Sequence, residues 1–394
     1  MSELNDRLVE LATIGADGAG GVTRLAFSAE DVAGRELVAG WMRAAGLAVE
    51  VDAATNLIGR RTGAGPAIVV GSHLDTVRGG GPLDGAYGVV AAVQAATELA
   101  GTTLRHPLTV VAFVNEEGSV APPGFTGSRT IAGLPVDVAE VVGPDGRTLG
   151  DMIRAAGGRP EALPASAWAA GDVAAFLELH IEQGPVLEHE DQQIGIVEAI
   201  TGRAVLDITV TGAANHAGTT PMALRQDALV AAAELVTYVP GLDVRAATVG
   251  QIAAKPNARN VIPGEVTLGV DIRDASDARL RAAVDQLAAR AAALAGVTVA
   301  VREGTFVPAV PTAPELTAAL ADVTARRGLR TRWLPSGAGH DAQIMASLAP
   351  VAMLFVPSRG GISHSPREYS EPADLDTGLA VLRDAIVEID GRLP

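Results

Sequence analysis

The chain has 394 residues, enough for two or three domains, and carries 46 acidic against 30 basic residues, for a net charge of -16. This negative charge argues against a nucleic-acid backbone or an anionic membrane as partner. The sequence contains no cysteine, which excludes a disulfide framework, a thiol nucleophile and a thiolate zinc site and leaves histidine, aspartate and glutamate as metal ligands.

The N-terminal segment, MSELNDRLVELATIG, combines acids with spaced apolar residues and has neither a basic region nor an apolar run. It predicts a helix of a cytoplasmic protein. A second amphipathic helix is predicted between Ser28, a suitable N-cap, and Gly46. Because no uninterrupted apolar stretch approaches the ~20 residues of a membrane-spanning helix, we expect no membrane segment.

Short apolar runs then alternate with helical segments. AIVVG and LTVVAFV are continuous runs typical of strands buried on both faces of a mostly parallel sheet, and an Ala-rich helix is predicted between them, from about Gly88 to Ala100. The sequence therefore predicts an α/β fold in which the active groups follow the carboxyl ends of the strands.

From about Arg203 the pattern changes to alternating strands and two helices in a β-α-β-β-α-β-like order. The proline-dense segment VPAVPTAPE marks the return to the first pattern. We therefore predict one α/β domain in two parts, residues 1–203 and 314–394, with a small α+β domain inserted over residues 204–313.

Five of the seven histidines lie in short segments rich in glycine and acids, namely GSHLD, LHIEQG, NHAGTTP, GAGHDA and ISHSP. His106 and His189 fall outside these segments and are interpreted as ordinary structural or surface residues. His73 ends a predicted strand, and Asp75 is expected to accept the proton of its other ring nitrogen, as in many metal sites. Asp84, in PLDGAYG, is either a ligand or the N-cap of the following helix.

Glu116 and Glu117 are adjacent carboxylates at the end of a predicted strand, where a cation or a shared proton would relieve their repulsion; a solvated strand end is the alternative. The alternation of strand residues predicts that one binds metal and the other faces the reacting water. The candidate ligands are three imidazoles and two carboxylates, which match a pair of divalent metals with one bridging carboxylate: His73, Asp84, Glu117, His180 and His364.

Nine motifs occur in order between about residues 60 and 371: GSHLDTV, DGAYGV, NEEGS, LHIEQGP, NHAGTTPM, NARNVIPG, DIRD, SGAGHDA and SHSPREY. Together they resemble the hydantoinase/carbamoylase family of amidases. This family includes N-carbamoyl-L-amino-acid hydrolases, β-ureidopropionases and allantoate amidohydrolases, and it is similar to two-zinc aminoacylases and carboxypeptidases. The resemblance implies a di-metal exopeptidase-like catalytic domain with an inserted ferredoxin-like domain that serves as lid and dimer interface.

The resemblance also implies roles for individual residues. One metal would be held by His73, Asp84 and His180, and the other by Asp84, Glu117 and His364, with Asp84 bridging. Glu116 would be the general base. Zinc is the expected metal, with manganese, cobalt and nickel as alternatives.

The residues implied to contact substrate are Gln183, His216, Asn260, Arg273, Gly337 and Ala338. His216 would polarise the scissile carbonyl, and Arg273 would hold the substrate carboxylate, some of these groups reaching across a homodimer. Asn260 could instead be a turn residue, and Arg273 could form a structural ion pair with a flanking aspartate. His340 is interpreted as structural rather than as a ligand.

The implied reaction is hydrolysis of an N-carbamoyl-L-amino acid, or a related small ureido acid, to the amino acid, CO2 and ammonia. After LHIEQG, allantoate amidohydrolases usually carry a Gln-Arg-Arg run, whereas this chain reads TGRAV with only Arg203 basic, which counts against allantoate. Allantoate hydrolysis, an aminoacylase or dipeptidase activity and a non-catalytic metal-binding protein are the alternatives.

Overall fold

The computed structural model describes residues 2–394, and within them the chain forms eleven α-helices and fifteen β-strands. The helices are α1 (Glu3–Ala12), α2 (Ala29–Ala44), α3 (Ala86–Glu98), α4 (Thr126–Ile131), α5 (Leu149–Ala155), α6 (Val186–His189), α7 (Ala228–Tyr238), α8 (Asp277–Ala292), α9 (Pro314–Arg326), α10 (Asp341–Met345) and α11 (Pro372–Arg392). The strands are β1 (Ala48–Val51), β2 (Leu57–Arg60), β3 (Ala67–His73), β4 (Leu108–Phe113), β5 (Val173–Ile181), β6 (Ile194–Ile200), β7 (Gly202–Thr211), β8 (Asn215–His216), β9 (Ala246–Lys255), β10 (Val261–Ile262), β11 (Glu265–Asp274), β12 (Thr298–Val307), β13 (Val310–Pro311), β14 (Thr331–Ser336) and β15 (Val351–Val356).

Residue contacts divide the chain into two compact units. The first comprises Met1–Glu198 and Thr312–Pro394, and the second is the intervening segment Ala199–Pro311. The sequence predicts boundaries at 203/204 and 313/314, a few residues later at each junction. The first junction lies before β7, because β7 belongs to the sheet of the second unit.

The first unit contains a mixed sheet in the order β1-β2-β4-β3-β5-β15-β6, with β14 also paired to β6. Its centre is parallel, because β3 pairs in parallel with β4 and β5, and β15 pairs in parallel with β5. Every residue of β3, β4 and β15 is buried. The predicted buried parallel strands are confirmed at the centre, while the edges of the sheet are antiparallel.

Helices cover this sheet and supply much of its core. The apolar core combines the central strands with residues of α1, α2, α3, α9 and α11, and it consists largely of Ala, Val, Leu and Ile. The helix α2 begins as predicted, since the Ser28 hydroxyl accepts a hydrogen bond from the Asp31 backbone N–H. With helices packed on it, the sheet can present its strand ends as a rigid platform for functional side chains.

The second unit follows the predicted β-α-β-β-α-β order, with β7, α7, β9, β11, α8 and β12 in succession. Its four long strands form an antiparallel sheet in the order β12-β7-β11-β9. Residues of β11 alternate strictly between buried and half-buried, so that one face packs on the two helices. The short strands β8 and β10 form a separate antiparallel pair.

Among the helices of residues 2–394, none combines the length and the apolar character needed to cross a bilayer.

Candidate active site

Five side chains with metal-ligating atoms converge in the first unit, where parallel strands end. His73 closes β3, and His180 is the penultimate residue of the neighbouring strand β5. The other three stand on loops: Asp84 precedes α3, Glu117 follows β4, and His364 follows β15. Adjacent parallel strands bring their carboxyl ends to one edge of a sheet, which explains why residues distant in sequence meet here.

Asp84 lies at the centre of this group. Its Oδ1 is 3.1 Å from His180 Nε2 and 3.6 Å from His73 Nε2. Its Oδ2 is 3.1 Å from His364 Nε2, which is also 3.5 Å from Glu117 Oε1. Two triads that could each hold a metal therefore share Asp84, one completed by His73 and His180 and the other by Glu117 and His364. Each carboxylate oxygen faces its own triad, as a bridging ligand requires.

Backbone carbonyls orient the two strand-borne imidazoles. His73 Nδ1 is 2.9 Å from the carbonyl oxygen of Asp75, and His180 Nδ1 is 2.9 Å from that of Ile181. A carbonyl can only accept, so both contacts place a proton on Nδ1 and leave Nε2 as the ring nitrogen that faces Asp84. The expectation that the Asp75 carboxylate takes this proton is wrong, because the carboxylate lies 4.0 Å from His73 Nδ1 and the carbonyl is closer.

The Asp75 carboxylate instead holds the two adjacent glutamates. It accepts the backbone N–H of Glu116 at 3.2 Å and that of Glu117 at 3.3 Å. The strand β4 ends at Phe113, and Asn115 has a left-handed φ of 54°. The two glutamates therefore stand on a loop, and the prediction that strand alternation separates their directions is wrong.

The electrostatics of Glu116 suit a group that exchanges protons. Its carboxylate is buried, with Oε2 3.7 Å from His73 Nε2. Burial raises the pKa of Glu116 well above its usual range, and the negative charges of Asp341 and Glu117 add to the effect. A raised pKa favours the protonated form that a general base must adopt after it takes a proton from water.

The pKa values of the ligand candidates are shifted in different directions. Burial opposes ionisation of Asp84, yet hydrogen bonds from His180, His364 and His73 outweigh it and hold the pKa of Asp84 well below its usual range. Burial and the nearby charge of Asp84 raise the pKa of Glu117 to about 7. The hydrogen bond to Asp84, with the charge of Glu117, raises the pKa of His364 to about 9. These opposed shifts show how strongly the group attracts positive charge.

The donor atoms fit divalent cations. Nitrogen and oxygen atoms of both triads face inward, and the buried Oε1 of Glu117 has no hydrogen-bond partner within residues 2–394. The alternative that Asp84 caps a helix is wrong, because α3 starts after Gly85 and has no side-chain cap. Imidazole nitrogens and carboxylate oxygens in this number match a pair of metals such as zinc or manganese.

Gln183 contacts this centre through its amide group. Its Nε2 donates to Asp84 Oδ2 at 2.9 Å and lies 3.4 Å from Ser363 Oγ. Gln183 has a left-handed φ of 59°, which directs the loop after β5 back over Asp84. The structure thus places Gln183 beside the central carboxylate, and its contact with substrate stays a prediction.

The loop after β14 carries Gly337 and Ala338. Gly337 is exposed and Ala338 is half-buried. The Ser336 hydroxyl is 2.8 Å from His340 Nε2 and 3.0 Å from the Ala338 carbonyl. The His340 ring lies edge-on to His180 with centroids 4.8 Å apart, and burial beside His180 holds the pKa of His340 well below its usual range. A neutral His340 supports the neighbouring ligand by packing.

His216 and Asn260 lie side by side in the second unit. His216 on β8 pairs with Val261 on β10, and the Asn260 carbonyl accepts the Ala217 backbone N–H at 2.9 Å. His216 is exposed, and its Nδ1 accepts the Gly218 N–H at 3.1 Å. Because Nδ1 is an acceptor there, a neutral His216 carries its proton on Nε2 and offers it outward as a donor.

Arg273 takes part in a charged cluster on the sheet of the second unit. It faces Arg203 across β11 and β7, and Asp271 bonds both guanidinium groups, that of Arg273 at 2.8 Å. The ion pair considered as the alternative for Arg273 is therefore present. Its proposed contact with a substrate carboxylate stays a prediction.

Sequence reasoning did not single out Glu368, whose buried carboxylate accepts the backbone N–H groups of Leu83 and Asp84. The available signal is its place in SHSPREY, four residues after a ligand candidate.

Sequence reasoning also missed Arg24, a fully buried arginine that donates to the carbonyls of Leu74 and Leu11. A charged residue inside the apolar segment GVTRLAF was the available signal there.

The chain belongs to peptidase family M20/M25/M40, whose family model matches residues 69–388. Individual relatives confirm the resemblance to the hydantoinase/carbamoylase family that the motifs indicate. The chain is 41% identical to the N-carbamoyl-L-amino-acid amidohydrolase of Paenarthrobacter aurescens, over 97% of this chain and 96% of that protein. It is 38% identical to the allantoate amidohydrolase of Escherichia coli strain K12, over 96% of this chain and 95% of that protein.

Solved structures give the same picture. An amidase of the hydantoinase/carbamoylase family from Burkholderia multivorans superposes with a TM-score of 0.89 at 38% identity, covering 98% of this chain and 97% of that one.

Proposed function

We propose that this chain is a metal-dependent amidohydrolase that removes the N-carbamoyl group of an N-carbamoyl-L-amino acid or a related small ureido acid. The products are the amino acid, CO2 and ammonia. The observation that carries the proposal is the pair of triads sharing Asp84 with the buried Glu116 beside them. The similarity to N-carbamoyl-L-amino-acid and allantoate amidohydrolases supports cleavage of a C–N bond in a ureido group.

In this proposal His73, Asp84 and His180 hold one divalent ion, and Asp84, Glu117 and His364 hold the second. Zinc is the metal we expect first, with manganese, cobalt or nickel as alternatives, since all accept imidazole and carboxylate ligands. When bound, the ions polarise a carbonyl group and lower the pKa of water towards ~7. Carbonyl contacts at Nδ1 keep His73 and His180 in the tautomer that can bind through Nε2.

Glu116 takes a proton from the attacking water and returns it to the leaving nitrogen. Its raised pKa makes the protonated state accessible between these two transfers. Asp75 holds the backbone of Glu116 by accepting its N–H, which anchors the loop that carries this carboxylate. Burial excludes bulk water from this carboxylate and strengthens its interaction with the reacting groups.

The second unit would act as a lid and supply substrate contacts. The Nε2–H of His216 would polarise the scissile carbonyl, Asn260 would donate a hydrogen bond to substrate, and Arg273 would hold the substrate carboxylate while sharing Asp271. In the first unit, Gln183 with the backbone of Gly337 and Ala338 would line the pocket. The exposed, outward-facing donor of His216 supports its part in this assignment.

We also propose a homodimer formed through the second unit. The strand β9 is at the edge of its sheet, and Ile252 on it is 55% exposed. On α7, Val230 is 62% exposed and Leu229 is also exposed. An edge strand and exposed large apolar residues in one small unit favour association with a second copy.

A substrate panel tests the proposed activity. Metal-reconstituted protein is incubated with N-carbamoyl, N-formyl and N-acetyl L-amino acids and with allantoate, and free amine and ammonia are both measured. We expect amine together with ammonia from the carbamoyl compounds. Preferential ammonia release from allantoate would move the assignment to the allantoate amidohydrolases, which the 38% identity also supports. Amine without ammonia from the formyl or acetyl compounds would indicate an aminoacylase, and inactivity throughout would favour a non-catalytic metal-binding protein.

A further inference from the structure

The carboxylate of Glu368 joins the two loops that carry Asp84 and His364. Glu368 Oε1 accepts the backbone N–H of Leu83 at 2.8 Å and that of Asp84 at 3.0 Å. Its Oε2 accepts the hydroxyl of Ser363 at 2.9 Å, next to His364 in the chain. Glu368 is only 4% exposed. One buried side chain therefore fixes the position of one loop relative to the other.

This carboxylate also decides where the Ser363 hydroxyl points. Ser363 Oγ lies 2.9 Å from Glu368 and 3.2 Å from Asp84 Oδ2, but a hydroxyl has only one hydrogen to donate. Glu368, which accepts at the shorter distance, takes this hydrogen. Within residues 2–394, Asp84 Oδ2 then keeps the Gln183 amide, at 2.9 Å, and His364, at 3.1 Å, as its neighbours, so one donor fewer competes with a cation.

The two triads depend unequally on such loop contacts. The side chains of His73 and His180 are 3% and 0% exposed, and both residues lie within strands at the centre of the sheet. The His364 side chain is 49% exposed, and its residue has a left-handed φ of 52° on a loop. Strand packing maintains the first pair of imidazoles, whereas the place of His364 rests on its loop.

We propose that Glu368 is a positioning residue for the second metal-binding triad, formed by Asp84, Glu117 and His364. It holds the Asp84 and His364 loops in register and keeps the Ser363 hydroxyl from donating to Asp84. Removal of Glu368 then weakens the ion of this triad more than the ion bound by His73, Asp84 and His180, because strand packing still holds the two imidazoles of the first triad. This inference rests on the two-ion centre of the proposed function.

The test is calorimetric titration of chelator-stripped protein with Co²⁺. The unaltered protein is expected to bind two ions per chain. For Glu368→Ala we expect one ion at near-normal affinity and a second weakened about 10- to 100-fold, the range found when partners of metal ligands are removed. Circular dichroism and thermal unfolding record whether each variant is folded.

The conservative variant Glu368→Gln separates positioning from simple filling of space. A glutamine oxygen can still accept the two backbone N–H groups, so we expect a folded protein. Its amide nitrogen, however, must donate to Ser363, which turns the hydroxyl hydrogen towards Asp84 Oδ2. The second ion is therefore expected to bind about tenfold more weakly, whereas a merely structural role would leave Co²⁺ binding by Glu368→Gln unchanged.

Asp390 offers a matched control. This buried carboxylate on α11 also accepts two consecutive backbone N–H groups, those of Arg105 at 2.9 Å and His106 at 2.8 Å. These residues precede β4, at the opposite end of the strand from the two glutamates. Asp390→Ala and Asp390→Asn are expected to lose stability but to bind both Co²⁺ ions with normal affinity.

The outcomes separate this role from the proposed function. Two ions at normal affinity in the Glu368 variants, or equal weakening of both ions, would overturn the role of Glu368 while leaving the proposed activity intact. Selective loss of the ion at Asp84, Glu117 and His364 would support the role of Glu368 even if the protein hydrolysed none of the ureido substrates. Fewer than two ions in the unaltered protein would overturn both the role of Glu368 and the two-ion centre.

Discussion

At the scale of single residues, the candidate site combines a base and ligands whose states are set by their neighbours. The Asp75 carboxylate accepts the backbone N–H groups of both glutamates, while its carbonyl orients His73. Asp75 thus positions the proposed base and one ligand candidate of each triad. The base itself is the easiest part to remove without disturbing the rest, because a glutamine has the same shape.

Glu116→Gln is expected to lower kcat about 10²- to 10⁴-fold, the usual contribution of a general base, and to leave the binding of two Co²⁺ ions unchanged. The amide cannot take a proton from water, whereas the two triads do not include this side chain in the proposed site. Steady-state kinetics and calorimetric metal titration are the two measurements. Retention of normal kcat would remove Glu116 from the mechanism.

Metal binding should also depend on pH in a defined direction. In the metal-free protein His364 has a pKa raised to about 9 and Glu117 one raised to about 7. Near pH 7.5 His364 is therefore protonated, and an incoming ion must displace about one proton or more per chain. Affinity for Co²⁺ should rise with pH until His364 is deprotonated near pH 9.

Calorimetry of Co²⁺ binding in buffers of different ionisation enthalpy counts these protons directly. An affinity that stays constant over this pH interval, with no proton released, would contradict the assignment of His364 as a ligand.

At the scale of elements, the turn between Asp84 and α3 brings the first triad together. Gly85 has a φ of 63°, and a Cβ atom there would lie 2.4 Å from the His73 ring. The absence of a side chain allows the imidazole to pack against the start of the helix. A glycine at this position is therefore a requirement of the site as well as of the backbone.

Gly85→Ala is expected to cost about 1–3 kcal/mol in backbone strain alone, because φ 63° with ψ −48° is a conformation that residues with a side chain rarely adopt, and to weaken the ion bound at His73. Gly40→Ala is the control, because Gly40 lies in the exposed part of α2 with no atom within 4 Å of the added Cβ, and there alanine should stabilise by about 1 kcal/mol. Chemical denaturation and Co²⁺ titration measure both effects. Unchanged metal affinity in Gly85→Ala would argue against the observed packing of His73.

The strands and the candidate ligands could be predicted from the sequence, but the hydrogen-bond partners of the site residues could not. Buried runs located β3 and β4, and the ligand candidates follow such strands. The contact from Glu116 to Asp75 spans 41 positions, and that from Leu83 to Glu368 spans 285, so no local pattern reveals them. The left-handed Asn115, which takes the glutamates off β4, was equally hidden, because asparagine adopts many loop conformations.

At the scale of the whole molecule, the predicted site residues are distributed over the two units. The ligand candidates and Glu116 all belong to the first unit, whereas His216, Asn260 and Arg273 belong to the second. The second unit also carries the exposed apolar residues of β9 and α7. The alternating apolar residues of its strands predict the face of the sheet that packs on the helices. The exposure of the apolar residues on β9 and α7, by contrast, became evident only from the structure.

Ile252→Glu on β9 is expected to shift the protein from dimer towards monomer, because it places a charge on the edge strand of the proposed interface. The matched control is Val9→Glu, at a similarly exposed position of α1 in the first unit. This variant should remain a dimer. Sedimentation velocity measures both. A dimer that persists in Ile252→Glu with unaltered affinity would place the interface elsewhere.

The central claim is hydrolysis of a ureido group at the metal centre, and the ratio of products tests it most directly. Metal-loaded protein acting on an N-carbamoyl-L-amino acid should release ammonia and free amino acid in equal amounts, and chelation should stop both until metal is restored. Failure of the metal-loaded protein to release either product, or activity that survives complete removal of metal, would contradict the account.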